Sequence, residues 1–211
     1  METRLLDYET ARSEAAMGGM LATLFGWVDS YPMNPHSDLG RTGAVCPFTR
    51  QARKLDTMRF GICLATPDKE DEAFAAVRNG FHELERIPAR RGLEQFRTVV
   101  LAFPSCDSEA GLAMLHKVQK RHKYYAALRF RMMGFMHPNS ESPGLWNPDF
   151  RPLRAPMPVL AIRYLVEQDA PFIAGHHLQW GPYLLRYRLG GAKRLIAARR
   201  GHRTSAQTAP G

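Results

Sequence analysis

A stiff, proline-rich segment follows an apolar, strand-like run and constrains how the chain can fold. Residues 135–154 read FMHPNSESPGLWNPDFRPLR and contain four prolines. Proline fixes φ and has no backbone N–H, so such a segment cannot continue a helix or lie in the middle of a sheet. We therefore predict a rigid, irregular loop. Loops held by a scaffold are where binding and catalytic groups concentrate, so a functional site is expected here.

The composition bounds the class of protein. The chain has 211 residues, of which 45% are hydrophobic, and this is enough for one well-buried core. No apolar run has the length of a membrane span, and no signal-peptide pattern opens the sequence. Its three cysteines form neither a CxxC pair nor a disulfide framework. We expect a cytoplasmic protein with no membrane partner, and a homodimer is left open.

The net charge of +9 is concentrated at the C-terminus. Seven of the 29 basic residues lie beyond Asp169, the last acidic residue, and the remaining 22 face 20 acidic residues. We predict a single globular domain over residues 1–190 and a basic, disordered tail over residues 191–211. Block charges of this kind are usually solvated, which disfavours nucleic-acid binding as the main function.

The periodicity of apolar residues predicts an α+β fold, with a central sheet from a β-α-β-α-β core covered by helices and with helical N- and C-terminal additions. The predicted core elements are strands at 58–64, 98–103 and 130–136, and helices at 68–87 and 108–125. The predicted additions are a helical stripe within residues 5–28 and helices at 156–168 and 172–189.

Two residues are candidate metal ligands. The signatures of phosphate loops, hydrolase elbows and HExxH zinc sites are absent, which disfavours the common nucleotide and hydrolase functions. His137 stands at a predicted strand end, where a fixed backbone would aim its imidazole at a metal or haem iron. The alternative is a loop histidine bonded to nearby backbone. Cys46, before Pro47, is the second candidate ligand, and its alternative is a buried free cysteine that packs.

Arginines near the loop are candidate anion-binding groups. Arg154 and Arg163 are suited to carboxylates or haem propionates, because a guanidinium binds a carboxylate through two parallel hydrogen bonds. Asp149 and Asp169 are equally suitable internal partners, so structural salt bridges remain the alternative.

One aromatic residue and one histidine complete the candidate set. Trp146, together with other aromatic residues, would line a flat cofactor pocket, although aromatic residues at this density more often form core. His177, next to His176, would be a distal acid/base group; the alternative is a pair of histidines near solvent.

Two stretches carry a resemblance to known families. Residues 36–48 (HSDLGRTGAVCPF) and 137–154 resemble a bacterial family of unknown function, with members in actinobacterial and related genomes and some in natural-product gene clusters. More distantly, the order of Val45-Cys-Pro-Phe48, Met136-His-Pro-Asn-Ser140 and residues 146–154 is similar to the YqcI/YcgG family. Some members of that family are haem-dependent oxygenases that hydroxylate nitrogen on guanidino groups or amines.

The resemblance implies a haem b monooxygenase acting on a nitrogen of an amino-acid-like metabolite in natural-product biosynthesis. His137 would hold the iron, with Cys46 as the alternative ligand. Arg154 and Arg163 would bind propionates or the substrate carboxylate, and Glu141 would recognise a cationic substrate group. Haem would supply the oxygen chemistry while the protein orients the substrate. The alternative function is a non-haem small-molecule enzyme or binding domain that uses residues 137–154.

Overall fold

In a computed structural model, which describes residues 3–175 and 179–207, four strands form one mixed sheet. The strands are β1 (Met58–Ile62), β2 (Thr98–Ala102), β3 (Arg131–Met136) and β4 (Val159–Tyr164). Their order is β1-β2-β4-β3, with β1 and β2 parallel and β4 antiparallel to both its neighbours. The predicted α+β class, with a sheet covered by helices and helical termini, is confirmed.

Seven α-helices occur in the described residues, and the longest regular ones flank the sheet. They are α1 (Tyr8–Ala15), α2 (Gly19–Ser30), α3 (Thr49–Lys54), α4 (Glu70–Arg86), α5 (Glu109–Leu128), α6 (Ala170–Ile173) and α7 (Trp180–Gln207). The predicted helices at 68–87 and 108–125 correspond to α4 and α5. Ser108 caps α5, because its side chain accepts a hydrogen bond from the backbone N–H of Gly111.

The helix predicted at residues 156–168 is wrong, because this segment contains β4. Pro156 and Pro158 suggested a helix start, but here they precede a strand, where a missing N–H is also tolerated. The apolar run Val159–Ile162 is too short for periodicity to separate a buried strand from a helix. Insertion between β2 and β3 gives β4 backbone partners on both sides.

The N-terminal stripe forms two helices, because the chain breaks between α1 and α2. Gly18 and Gly19 have φ values of 95° and 81°, a region that residues with a Cβ rarely adopt. Before α1, Leu6 pairs with Phe60 of β1 through two backbone hydrogen bonds of 2.8 Å. The N-terminal segment therefore covers the outer edge of β1.

The sheet has an apolar core on each face. Leu160 and Ile162 of β4, with Met133 and Phe135 of β3, belong to the cluster that also contains the buried residues of α4 and α5. Val159 belongs to the cluster formed with α1 and α2. Successive strand residues point to opposite faces, so these assignments fix the side on which each neighbouring side chain lies.

The C-terminal helix α7 has a kink at Arg188, where φ is 45° and ψ is −129°, and its second part continues past the boundary predicted at residue 190. Leu195 is buried in a third apolar cluster, and Ala198 packs against that cluster. The first residues of the predicted tail are thus helical and in contact with the domain. Within the described residues, no helix combines the length and the apolarity needed to cross a membrane.

Candidate functional site

The two stretches singled out in the sequence lie against each other, although about a hundred residues separate them. The side-chain amide of Asn147 donates to the backbone oxygen of Asp38 at 2.8 Å. The rings of His36 and Phe150 lie 4.6 Å apart, centroid to centroid. Residues 36–40 and 146–150 therefore form one contiguous surface.

This contact depends on a glycine. Gly40 has φ 74°, and a Cβ placed on it would lie 3.0 Å from the backbone carbonyl group of Trp146. A larger residue would be strained in φ and would push residues 144–148 away. The sequence stretch 36–48 thus carries a glycine that the approach of the proline-rich loop requires.

An open groove of about 520 Å³ lies beside this contact, and we call it the charged groove. One wall carries Trp27, Tyr31, His36 and Asp38, and the other carries Asp149, Phe150, Arg151 and Arg154. Its volume is within the range of small-molecule sites, roughly 300–1,000 Å³. Aromatic rings, two guanidinium groups and two carboxylates therefore face the same space.

The aromatic wall is held by hydrogen bonds that leave polar atoms available. The Tyr31 hydroxyl donates to the backbone oxygen of Pro152 at 3.4 Å, and burial raises the pKa of Tyr31. Nδ1 of His36 accepts from the backbone N–H of Asp38 at 3.2 Å, so a neutral ring carries its proton on Nε2. The indole Nε1 of Trp27 is buried and has no hydrogen-bond partner among the described residues. Unpartnered buried donors are uncommon in folded proteins.

The arginine wall is organised by Glu141. Nε of Arg151 donates to Glu141 Oε2 at 3.0 Å, and Nη2 of Arg154 donates to Glu141 Oε1 at 2.6 Å. The hydrogen bonds from Arg151, followed by those from Arg154, lower the pKa of Glu141. The carboxylate of Glu141, which was predicted to recognise a cationic substrate group, is thus already paired with two arginines of the protein.

His137 lies on the other face of the sheet, beside α5. Its ring centroid is 5.1 Å from that of Phe135 and 6.3 Å from that of His116. Nδ1 of His137 is buried without a hydrogen-bond partner among the described residues. Burial, followed by the charge of His116, lowers the pKa of His137, while Asp107 opposes this shift. His116 was not predicted as a neighbour of His137, because the contact joins a helix to a strand end and depends on long-range packing.

Arg163 has an internal partner, as the alternative interpretation held. Its guanidinium donates to both oxygens of Asp169, at 2.6 and 2.8 Å, and Asp169 is 2% exposed. Its guanidinium carbon also lies 5.0 Å from the ring centroid of Phe48. Cys46 is partly buried, and its backbone N–H donates to the backbone oxygen of Pro32 at 2.9 Å.

Two further candidates do not join these residues. Trp146 is 65% exposed, and it does not line the charged groove. Tyr183, which with Phe150 was also a candidate for the flat cofactor pocket, is fully buried in the third cluster, whereas Phe150 lines the charged groove. His177 lies outside the described residues.

The residues predicted to hold haem do not form one pocket. Every second residue of a strand points to the same face, so His137 lies on the face of Met133 and Phe135, next to α5. Arg163 lies on the face of Val159, which is the opposite side of the sheet. Arg163 also lies four positions along β4 from Val159, about 13 Å at the rise of a strand. The cavity beside His116 and Phe135 measures about 220 Å³, which is below the usual range of ligand pockets.

Metal ligation by a side-chain cluster finds no support in residues 3–175 and 179–207. No group of three or more His, Cys, Asp or Glu side chains there is arranged to hold a metal ion. The charged groove is therefore the arrangement with the most usable chemistry, since it combines donors, acceptors and aromatic surface.

Comparison with known proteins identifies a family but no activity. A family model described as Domain of unknown function (DUF6875) matches residues 21–197. This range includes both walls of the charged groove. No curated protein and no solved structure matches the chain.

Proposed function

We propose that this chain, which belongs to the DUF6875 family, binds an amino-acid-like small molecule in the charged groove. The observation that carries the proposal is the convergence of residues 27–38 and 149–154 on one groove of about 520 Å³. Loop-built grooves on a rigid sheet are common sites of binding and catalysis. The function is that of a small-molecule enzyme or binding domain that uses the 137–154 loop.

The chemistry of the walls supports a ligand with both charges. Arg151 and Arg154 offer guanidinium donors, while Asp38 and Asp149 offer carboxylate acceptors. Trp27 and Phe150 provide flat surfaces against which an aliphatic chain or a planar cation packs. An amino acid carries a carboxylate, an ammonium group and an apolar or planar side chain, so it matches this combination.

His36 is the candidate proton-transfer group of the groove. Its Nδ1 is held by the backbone N–H of Asp38, and its ring packs on Phe150, so the orientation of Nε2 is fixed. An imidazole nitrogen can donate or accept a proton, which suits general acid or base work. We assign His36 the role of holding or moving a proton at Nε2 on the bound molecule.

The test is a titration of ¹⁵N-labelled protein with L-arginine, followed by NMR. We expect shifts of the Trp27 indole N–H and of the amides of Phe150 and Arg151. His36→Ala should weaken binding about tenfold, the worth of one good hydrogen bond. His82→Ala, an exposed histidine on α4, is the matched control and should bind as the unchanged protein does.

Two results would contradict the proposal. One is the absence of shifts at the groove at millimolar L-arginine. The other is a set of shifts confined to the α4–α5 face of the sheet.

Haem-dependent hydroxylation of nitrogen, which the sequence resemblance implies, stays a second proposal. The observation that favours it is Nδ1 of His137, which has no hydrogen-bond partner among the described residues, because an imidazole nitrogen is a common ligand of haem iron. The test is an absorption spectrum of protein expressed with a haem precursor, before and after dithionite and carbon monoxide. An intense haem band that His137→Ala abolishes would support it, and a flat spectrum would remove it.

A further inference from the structure

The carboxylate of Glu141 lies between two arginines that belong to the charged groove. It accepts from Nε of Arg151 at 3.0 Å and from Nη2 of Arg154 at 2.6 Å, one oxygen to each guanidinium. Both arginines line the groove, whereas Glu141 does not. A carboxylate that lies outside the groove lining thus accepts one hydrogen bond from each of two arginines of the groove.

The two arginines are held in place without Glu141. Nε of Arg154 donates to the backbone oxygen of Ser140 at 3.2 Å, and Nη1 of Arg151 donates to the backbone oxygen of Pro148 at 2.5 Å. Ser140 is 3% exposed and so belongs to the fixed part of the loop. Arg151 also donates to the backbone oxygen of Phe150 at 3.4 Å, so each guanidinium has backbone contacts in addition to its contact with the Glu141 carboxylate.

The Glu141 carboxylate itself is free to leave. Its side chain is 70% exposed, and the Arg154 side chain is 53% exposed. Exposed ion pairs contribute little to stability, because water solvates the separated partners and salt screens them. Releasing Glu141 into water therefore costs little, and another carboxylate can take its place between the two guanidinium groups.

We propose that Arg151 and Arg154 form a carboxylate subsite of the charged groove and that Glu141 occupies it until the ligand carboxylate displaces it. The inference rests on the proposed function, since it assigns one end of the ligand in that groove. It names the class of ligand as a carboxylate-bearing molecule. It also makes Glu141 a built-in competitor rather than a group that contacts the substrate cation.

A carboxylate is favoured because the two contacts match its geometry. The two oxygens of one carboxylate each accept a charge-assisted hydrogen bond from a different guanidinium, so a carboxylate bound here is held at both of its oxygens. A ligand carboxylate that reproduces both contacts would regain what Glu141 gives up, and its remaining atoms would extend toward Trp27 and Phe150.

The experiment compares two probes and three proteins. L-Arginine is compared with agmatine, the same molecule without its carboxylate, by NMR titration of the unchanged protein, Glu141→Gln and Glu72→Gln. Glu72, on α4, is exposed and pairs with Lys69, so its substitution removes the same charge on the opposite side of the sheet. We expect Glu141→Gln to tighten L-arginine binding about fivefold, with agmatine unaffected and Glu72→Gln equal to the unchanged protein.

Each other outcome has a definite meaning. If L-arginine binds at the groove but Glu141→Gln weakens or does not change its affinity, the subsite inference is overturned and the proposed function stands. If Glu141→Gln tightens both probes equally, the effect is one of overall charge and the inference also fails. If no protein binds either probe at the groove, the proposed function falls and the subsite with it.

A second substitution distinguishes competition between Glu141 and the ligand carboxylate from a loss of folding. Arg154→Gln should weaken L-arginine binding to a level near that of agmatine, because one of the two guanidinium contacts is gone. Arg78→Gln, an exposed arginine on α4, should leave both affinities unchanged. Equal binding of L-arginine by Arg154→Gln and by the unchanged protein would overturn the assignment.

Discussion

Two arginine–carboxylate pairs in this protein have the same contact distance and opposite environments. Arg163 and Asp169 meet at 2.6 Å with side chains 19% and 2% exposed, whereas Arg154 and Glu141 meet at 2.6 Å with side chains 53% and 70% exposed. Distance alone therefore says little about what an ion pair does. Burial decides whether a pair fixes the structure or remains exchangeable.

The buried pair is tied to the backbone. Asp169 accepts both Nη groups of Arg163 and also the backbone N–H of Val166, at 2.9 Å. The aspartate thus joins β4 to the turn that leads into α6. Among the described residues, the donors to Glu141 are the two arginines of the groove, and no backbone N–H there ties its carboxylate to another element.

Removing the buried carboxylate should have the largest effect. Asp169→Ala is expected to lower the free energy of unfolding by about 3 kcal/mol, because a buried guanidinium would lose its compensating charge. Chemical denaturation with urea measures this. Asp149→Ala, which removes an exposed aspartate from the same part of the sequence, is the control and should unfold as the unchanged protein does. A change as small as that of the control would show that Arg163 finds water when Asp169 is absent.

Changing the shape of the buried cation should have a smaller effect. Arg163→Lys is expected to cost about 1.5 kcal/mol of unfolding free energy, because lysine keeps the charge but loses the two parallel hydrogen bonds. Arg154→Lys in the exposed pair should leave the urea midpoint unchanged. Equal effects of the two substitutions would remove the distinction between the pairs.

The pKa of Glu141 should show the effect of its two neighbouring arginines. Its carboxyl group is expected to titrate below the ordinary pKa of 4.5, because Arg151 and Arg154 favour the charged form. The contribution of the pair is thus complete above the unfolded-state pKa and is lost as the pH falls through the lower folded-state value. Carboxyl ¹³C NMR measures the midpoint, which Arg154→Gln should raise and Asp169→Ala should leave unchanged. A midpoint at or above 4.5 in the unchanged protein would contradict the pairing.

The smallest effect is expected for the stability of Glu141→Gln. Its urea midpoint should equal that of the unchanged protein, since an exposed carboxylate loses little when water replaces its partners. A clear loss of stability would mean that Glu141 holds the loop together, and it would then be unsuited to displacement.

Elements with long periodic patterns were predictable from the sequence, and short ones were not. The apolar spacing over α4 and α5 specified helices because it extends over several turns. The apolar run in β4 is so short that its pattern fits a strand and a helix equally well. Its hydrogen-bonded pairing with β2 and β3 decides for a strand. The prediction of a rigid loop at 135–154 rested on proline chemistry, which acts locally, and no strand or helix interrupts residues 137–158.

The candidate site was predictable in part. Arg154, Glu141 and the 36–48 stretch were recognised as chemically notable, but their arrangement depends on long-range packing. The contact between His36 and Phe150 joins residues more than a hundred positions apart, and no local rule predicts it. Trp27 and Tyr31 were not predicted as site residues, because nothing in the sequence shows that the end of α2 faces the loop.

The pairing of Leu6 with Phe60 has a consequence for how this protein behaves outside its native surroundings. β1 is an edge strand of the sheet, and an uncovered edge strand is a template for pairing with another chain. The two backbone hydrogen bonds between Leu6 and Phe60 cover the centre of this edge strand. Proteolytic trimming past Leu6, or an expression fusion that pulls this segment away, would open the strand to intermolecular pairing, so the first place to look for aggregation is the N-terminus rather than the basic C-terminus.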